Sequence, residues 1–363
     1  MKIRNRVGLV FVMAWLIFAA VACGGGGGGD NSGTGGPPAS GFTLADMQGT
    51  WNLHMATSGD GAQWAGWVYG TLTISGSGVW TWTAVNRSNG DSTLPSGSAT
   101  LAITSSGIVT MAGHPSFDAV MTKDKSMIVG TTNDGGGGYD LFVMLKSGGS
   151  FALSDLQGTW PIHMLTTGNS PLYIGWLYGT CSIDASGNLT WTAVTRSNGD
   201  STLPGASTLA ISASGIVTIA GQPSFHGVMS SDKSLIVATM NDGGGGYNLM
   251  VLQKNGSGTF ATGDLQGAWN IHMLTSAQTP SWLGWLYGSQ SIDASGNITW
   301  TSVTRSDGYS ALPSSSTYSI STAGVLTIGT QPSFNGNMSS SKSLILATMN
   351  DGGGGYNLIV CVK

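Results

Sequence analysis

One segment of about 105 residues occurs three times in this chain, and this repetition constrains the fold more than any other feature. A hexapeptide running from Asp46 to Trp51 returns at 155–160 and 264–269. A phenylalanine precedes each copy, and successive ones are 109 positions apart: Phe42, Phe151 and Phe260. The chain should therefore contain three copies of the fold that one repeat adopts. We expect the repeats at 42–147, 151–255 and 260–363.

The composition favours strands and disfavours helices. Every acidic residue is an aspartate, and 58 of the 363 residues are glycine. Glutamate is a good helix former, so its absence beside abundant Gly, Ser and Thr indicates an all-β protein. The net charge is −4, with no basic stripe, so we expect no nucleic-acid partner.

Repeat two shows the order of its strands most clearly. Trp160 to Met164 alternates apolar and polar side chains, as a half-buried strand does. Three hairpins then follow, with turns at 184–188, 212–215 and 230–233, and Tyr247 to Lys254 forms a last strand. This pattern predicts eight antiparallel strands in each repeat.

Two architectures fit eight-stranded repeats. Pairing the first strand with the last removes both sheet edges and gives three tandem up-and-down barrels. The alternative is one six-bladed propeller of four-stranded blades. It is favoured by segments that are apolar on both faces, such as 249–252 and 235–238. If each repeat is a barrel, residues 151–259 should fold alone.

The N-terminal segment is predicted to be a targeting signal. Residues 1–22 combine a basic start with an apolar run, and small residues precede Cys23. This junction resembles the lipobox of bacterial lipoproteins, which implies cleavage before Cys23 and its acylation. Residues 24–41 are rich in Gly, Ser and Pro and are predicted to be a flexible tether. The resemblance implies a membrane-anchored protein of the cell envelope, at the outer membrane or cell surface.

The Gly-x-Trp on the first strand of each repeat is similar to that of the lipocalin and avidin groups. It occurs at 49–51, 158–160 and 267–269. In lipocalins this Trp plugs the closed end of a barrel beneath a basic residue from a late strand. The resemblance implies that role for a lysine at the end of each repeat: Lys146, Lys254 and Lys363. The other lipocalin motifs and the flanking helix are missing.

Several polar residues recur at one slot per repeat. The histidines His54, His163 and His272 lie on the opposite strand face from the Trp, and we expect them to be exposed, because no metal-site spacing surrounds them. The aspartates before the glycine runs are predicted to form turns rather than calcium loops: Asp134, Asp242 and Asp351. The arginines that end the first hairpins are assigned to solvated loops: Arg87, Arg196 and Arg305. Cys181 and Cys361 replace apolar residues and are predicted to be core side chains.

Aromatic residues give the best candidate binding site. The loop after the first strand varies among the repeats, yet each copy carries an aromatic at the same position, with two more just behind it. Aromatic rings at a loop can stack on sugars or apolar ligands. The predicted ligand-binding residues are Trp64, Trp67, Tyr69, Tyr173, Trp176, Tyr178, Trp282, Trp285 and Tyr287.

We therefore expect a non-catalytic repeat module that binds glycans or small apolar ligands, with three linked sites that gain avidity. A structural or adhesive surface protein without a small ligand is the first alternative. A hydrolase that uses the histidines is the second. No cofactor fingerprint occurs at a recognisable spacing.

Overall fold

The computed structural model describes residues 41–168, 173–256 and 258–363, which form three closed antiparallel barrels of eight strands each. Barrel 1 consists of β1 (Gly49–Gly59), β2 (Gly66–Ile74), β3 (Val79–Arg87), β4 (Ala99–Ile103), β5 (Ile108–Met111), β6 (His114–Met121), β7 (Met127–Asn133) and β8 (Gly138–Lys146). Barrel 2 consists of β9 (Gly158–Gly168), β10 (Gly175–Ile183), β11 (Asn188–Arg196), β12 (Ser207–Ile211), β13 (Ile216–Ile219), β14 (His226–Met229), β15 (Leu235–Asn241) and β16 (Gly246–Gln253). Barrel 3 consists of β17 (Gly267–Ala277), β18 (Gly284–Ile292), β19 (Asn297–Arg305), β20 (Ser316–Ile320), β21 (Val325–Ile328), β22 (Gln331–Met338), β23 (Leu344–Asn350) and β24 (Gly355–Val362).

Each barrel closes by pairing its first strand with its last. In barrel 1, Trp51 lies opposite Lys146, and β1 also pairs with β2. All other neighbours are consecutive in the chain, so the topology is up-and-down throughout. This closure confirms the tandem barrels, and the propeller alternative is wrong, because each repeat satisfies its own two edges.

A short helical turn precedes each barrel, at Leu44–Met47, Leu153–Leu156 and Thr262–Leu265. The recurring hexapeptide therefore begins in a helical turn and enters its strand only at the glycine. In barrel 1, Asp46 accepts a hydrogen bond from the backbone N–H of Thr43 at 2.8 Å, which caps the turn. The Trp51 indole donates to the Met47 carbonyl at 2.7 Å. The hexapeptide thus fixes the entrance of each barrel.

The end of each barrel that holds this Trp is closed. Trp51, Trp160 and Trp269 are fully buried. Lys146, Lys254 and Lys363 place their ammonium groups 5.5, 5.4 and 5.4 Å from the Trp ring centroids, the partnership that the lipocalin resemblance implied. The opposite end carries the β1–β2, β3–β4, β5–β6 and β7–β8 loops and their equivalents. We call this end the mouth.

Large apolar side chains fill each barrel interior. In barrel 1 they include Leu53, Leu72, Ile74, Phe142 and Met144. Cys181 and Cys361 are buried free thiols within the interior clusters of barrels 2 and 3, as predicted for core side chains. Burial raises the pKa of each thiol to about 12.

The three barrels also share a fourth apolar core that lies outside all of them. It combines outward-facing side chains of the last two strands, such as Val143, Val237, Val251 and Val360. The first two strands of each barrel pack on the last two strands of the next, and barrel 3 packs on barrel 1 in the same way. The first strands β1, β9 and β17 all contact one another. The chain therefore forms a closed ring with approximate threefold symmetry.

Candidate functional site at the barrel mouths

The contacts between successive barrels, which we call seams, each contain the same tryptophan–asparagine pair. The Trp67 indole donates to Asn241 Oδ1 at 2.5 Å, joining barrel 1 to barrel 2. Trp176 donates to Asn350 at 2.5 Å, joining barrel 2 to barrel 3. Trp285 donates to Asn133 and closes the ring. Each indole is only 5% exposed. Three of the nine predicted ligand-binding aromatics thus hold the barrels together.

Three further predicted aromatics, the tyrosines of the second strands, pack beside the recurring histidines. Ring centroids are 4.8 Å apart for His54 and Tyr69, and 5.1 Å apart for His163 and Tyr178. The third pair, His272 and Tyr287, has a separation of 4.9 Å. These tyrosines are half-buried on the outer barrel face rather than in a loop.

The recurring histidines are fully buried, so the expectation that they are exposed was wrong. They do face away from the Trp, as the odd spacing predicted, but that outer face is covered by the next barrel. His163 Nε2 lies 3.2 Å from Asn337 Oδ1 of barrel 3. His54 and His272 have longer contacts, 3.5 and 3.4 Å, to threonines across their seams.

Burial keeps these imidazoles neutral. It lowers the pKa of His54 and His272 to about 3 and that of His163 to about 4. Each ring also has one nitrogen without a partner among the described residues. A general base must reach its substrate, so rings sealed inside the seams lack the access that the hydrolase alternative required.

The remaining three predicted aromatics lie at the mouths. Trp64 and Trp282 end short helical turns in the β1–β2 and β17–β18 loops, and Tyr173 occupies the same position in barrel 2. Each ring lies directly over a glycine of the polyglycine loop that joins the last two strands: Gly136, Gly244 and Gly353. A β-carbon on any of these glycines would collide with the ring. We call each ring with its glycine loop a platform.

An aspartate shapes the glycine loop of each platform. Asp134 Oδ1 accepts hydrogen bonds from the backbone N–H groups of Gly136 and Gly138 at 2.8 and 2.9 Å. Asp242 and Asp351 make the same pair of bonds. This is the turn predicted from the sequence. Among the described residues, no three His, Cys, Asp or Glu side chains gather in a way that could hold a metal ion.

The long loop after the third strand forms the other side of each mouth. Arg87 and Arg196 pair with Asp91 and Asp200 at 2.8 and 2.7 Å. Arg305 instead donates to backbone carbonyls, because the aspartate is replaced by Tyr309. These loops are solvent-accessible, as predicted, and each presents one exposed leucine: Leu94, Leu203 and Leu312.

One acid inside the mouth of barrel 1 has no acidic counterpart in the other barrels. Asp140 is 2% exposed and accepts a hydrogen bond from Thr57 Oγ1 at 2.7 Å. Barrels 2 and 3 use Asn248 and Asn357 with the same threonine contact at 2.6 Å. Burial raises the pKa of Asp140 to about 8, so this carboxyl is mostly protonated at neutral pH and resembles the asparagines.

Charge is sorted between the two ends of the barrels. All seven lysines after residue 41 lie at the closed ends: Lys123, Lys125, Lys146, Lys233, Lys254, Lys342 and Lys363. Seven aspartates balance them there: Asp46, Asp124, Asp155, Asp184, Asp232, Asp264 and Asp293. At the mouths, three arginines end strands and seven aspartates lie in the loops, an excess of four negative charges: Asp60, Asp91, Asp134, Asp200, Asp242, Asp307 and Asp351.

Comparisons with known proteins do not assign this chain to a family. No protein-family model matches it, and no curated protein does. Among solved structures, a protein of unknown function of the DUF3598 family from Nostoc punctiforme is 13% identical, with a TM-score of 0.21 over 58% of this chain and 97% of the other. The isotype 1 transferrin binding protein B of Neisseria meningitidis is 8% identical, with a TM-score of 0.26 over 86% of this chain and 75% of the other. Likenesses with such low TM-scores say nothing about what this chain does.

The predicted membrane anchor belongs to the N-terminal part of the chain. The signal segment, Cys23 and nearly all of the tether lie outside the described residues. Within the described residues, no helix is long and apolar enough to cross a membrane.

Proposed function

We propose that this protein is a non-catalytic binding module that presents three equivalent sites at the mouths of its barrels. The observation that carries the proposal is the platform, an aromatic ring backed by glycine backbone in every repeat. The glycines let each ring pack closely against the loop backbone; Trp282 is 46% exposed, and Trp64 and Tyr173 are partly exposed. Exposed aromatic faces bind apolar faces of ligands through dispersion and stacking.

Glycans fit this arrangement better than small apolar ligands. An apolar ligand of the lipocalin type would need space inside the barrel, but Trp, Phe, Leu and Met side chains fill the barrel interiors. A sugar ring needs only an exposed aromatic face and neighbouring acceptors. Asp and backbone carbonyl groups of the same loops supply these acceptors.

The ring makes the proposed binding multivalent. Rotation by the approximate threefold axis relates Trp64, Tyr173 and Trp282, so the three platforms lie at one height along that axis. A polymer with repeating units could occupy several platforms at once, and linked weak sites gain avidity.

The proposal also includes anchoring at the cell envelope through an acylated Cys23. This part of the proposal rests on the sequence of residues 1–23 alone.

Binding should be tested with the chain from residue 24 onward in native gels that contain soluble neutral polysaccharides. We expect retardation of the wild type, and quenching of tryptophan fluorescence by the matching oligosaccharide. Replacing Trp64, Tyr173 and Trp282 with alanine should weaken retention stepwise, by about tenfold or more for the triple variant, as avidity is lost.

The matched control is Tyr309→Ala, which removes an exposed aromatic from a mouth loop but not from a platform. It should bind like the wild type. Unchanged binding by the triple alanine variant would reject the platforms as the site. Absence of binding to every neutral polysaccharide and apolar ligand would favour the structural or adhesive alternative.

A further inference from the structure

The charges around the platforms bear on which glycans they can accept. Each platform carries a carboxylate in its own glycine loop, two residues before the glycine beneath the ring. Asp134 is held there by backbone N–H groups that bond only its Oδ1 atom. Its other oxygen, Oδ2, lies near Gly138 at the start of β8. The carboxylate is therefore fixed within the same loop as the glycine that packs against the ring.

Few cationic groups at the described mouths are open to an anionic ligand. Arg87 and Arg196 are committed to ion pairs within their own loops. Arg305 donates its Nη1 to two carbonyls and lies 5.2 Å from the Tyr309 ring. Every described lysine is at the far end of its barrel. An anion brought to this face would encounter an excess of negative charge.

We propose that the mouth face selects neutral and amine-bearing polysaccharides and excludes anionic ones. This inference rests on the proposed glycan binding and narrows its ligand class. A protonated amino group on a sugar would pair with Asp134, Asp242 or Asp351 while the sugar face stacks on the adjacent ring. A uronate or sulfate group in the same position would be repelled. Because three platforms act together, small electrostatic differences at each one multiply.

The test compares polymers of different charge in one assay with the chain from residue 24 onward. A neutral glucan, chitosan as the amine-bearing polymer and polygalacturonate as the anionic polymer are placed in separate native gels. We expect chitosan to bind about tenfold more tightly than the glucan at low ionic strength, with the difference shrinking at high salt. Polygalacturonate should not retard the protein.

The decisive variant replaces all three platform carboxylates: Asp134→Asn, Asp242→Asn and Asp351→Asn. Asparagine can accept the same backbone hydrogen bonds through its Oδ1, so the glycine loops should persist. This variant should lose the preference for chitosan while still binding the glucan. The control variant combines Asp184→Asn, Asp232→Asn and Asp293→Asn, which makes the same change in net charge at the closed ends. It should keep the wild-type preference.

The outcomes separate this inference from the function it rests on. If the wild type binds polygalacturonate as well as the glucan, charge selection is wrong although glycan binding stands. Charge selection is also wrong if the mouth variant and the control variant behave alike. If no polymer of any charge binds, the proposed function fails and the inference fails with it.

Discussion

A histidine that is sealed between two barrels must give up its solvation, and only the neutral imidazole does so at tolerable cost. The folded state lowers the pKa of His54, His163 and His272 to between about 3 and 4, whereas an unfolded chain keeps a value near 6.5. Below pH 6.5 the unfolded state therefore binds more protons. Stability is fully retained above that pH and is lost as the pH falls toward the folded pKa values.

We predict that lowering the pH from 7 to 5 costs roughly 2 kcal/mol of unfolding free energy per buried histidine. Asp140 has the opposite effect on the unfolding free energy. Its pKa is raised in the folded state, so lowering the pH removes the cost of burying a charged carboxylate. The measurement is therefore made in an Asp140→Asn background, by chemical denaturation at a series of pH values. Adding His163→Gln should reduce the loss between pH 7 and 5 by about 2 kcal/mol. An unchanged pH dependence would mean that His163 is not buried in a seam.

Individual strands of this protein contribute side chains to two apolar cores, one inside a barrel and one between the barrels. The face that a side chain occupies decides which core it joins. In β15, Ile236 and Ala238 face the interior of barrel 2, while Leu235 and Val237 face the core between the barrels. In β10, Trp176 faces outward and donates its indole hydrogen to Asn350 of barrel 3. β15 is therefore buried on both faces from Leu235 to Thr239, and the outer face of β10 is buried at Trp176.

The element-scale prediction concerns the tryptophan–asparagine pair of one seam. Trp176→Phe removes the donor and Asn350→Ala the acceptor, and each change should lower the unfolding free energy by about 1–3 kcal/mol, since it leaves a buried polar partner unsatisfied. The two effects should not add, with a coupling energy of about 1 kcal/mol in a double-mutant cycle followed by denaturant unfolding.

A mismatched pair provides the control for that cycle. Trp67 belongs to the seam between barrels 1 and 2, so Trp67→Phe combined with Asn350→Ala should give additive losses. Equal coupling in the matched and mismatched cycles would contradict the assignment of one pair to each seam.

At the scale of the whole molecule, the ring is built from one kind of contact used three times. Each barrel offers its first two strands to the next barrel and its last two strands to the previous one. Such a head-to-tail contact closes on itself after three copies and leaves no seam unsatisfied. The seam asparagines end the strands that lead into the platform glycine loops, so each platform lies at the mouth-side edge of a seam: Asn133, Asn241 and Asn350.

We predict that residues 151–259, produced as a separate chain, fold and assemble into a homotrimer. Barrel 2 alone carries both halves of a seam, with Trp176 and His163 on one side and Asn241 and Thr239 on the other. A monomeric fragment would expose a large apolar patch made of Leu235, Val237, Leu249 and Val251. Sedimentation or light scattering over a concentration series measures the assembly.

The matched variant for this experiment is Val237→Asp, which places a charge in the seam and none in the barrel interior. It should shift the assembly to monomer. A wild-type fragment that remains monomeric and folded at all concentrations would contradict the proposed strength of the seams.

The local order of this protein could be predicted from its sequence. Alternating side chains, glycine-rich turns and the repeat itself predicted eight strands per copy, and the observed hairpin β10–β11 turns at the predicted residues 184–188. The buried Trp at the closed end with its lysine was also predicted, from the Gly-x-Trp resemblance. These features depend on neighbours in the chain or on one barrel closing upon itself.

The tertiary structure alone decided what lies outside each barrel. The segments 235–238 and 249–252 are apolar on both faces, which in the sequence favoured a propeller. In the structure, one face lies inside barrel 2 and the other packs against a neighbouring barrel. The other neighbour, barrel 3, buries His163 and Trp176, which sequence periodicity could assign to the outer face but not to a seam. Period-two alternation reports which side of a strand a residue occupies, and it cannot report what covers that side. The threefold repeat determined three copies of eight strands. The closure of each copy and the packing of the outer faces, which depend on distant strands, determined the barrels, and with them which aromatics are structural and which remain at the mouths.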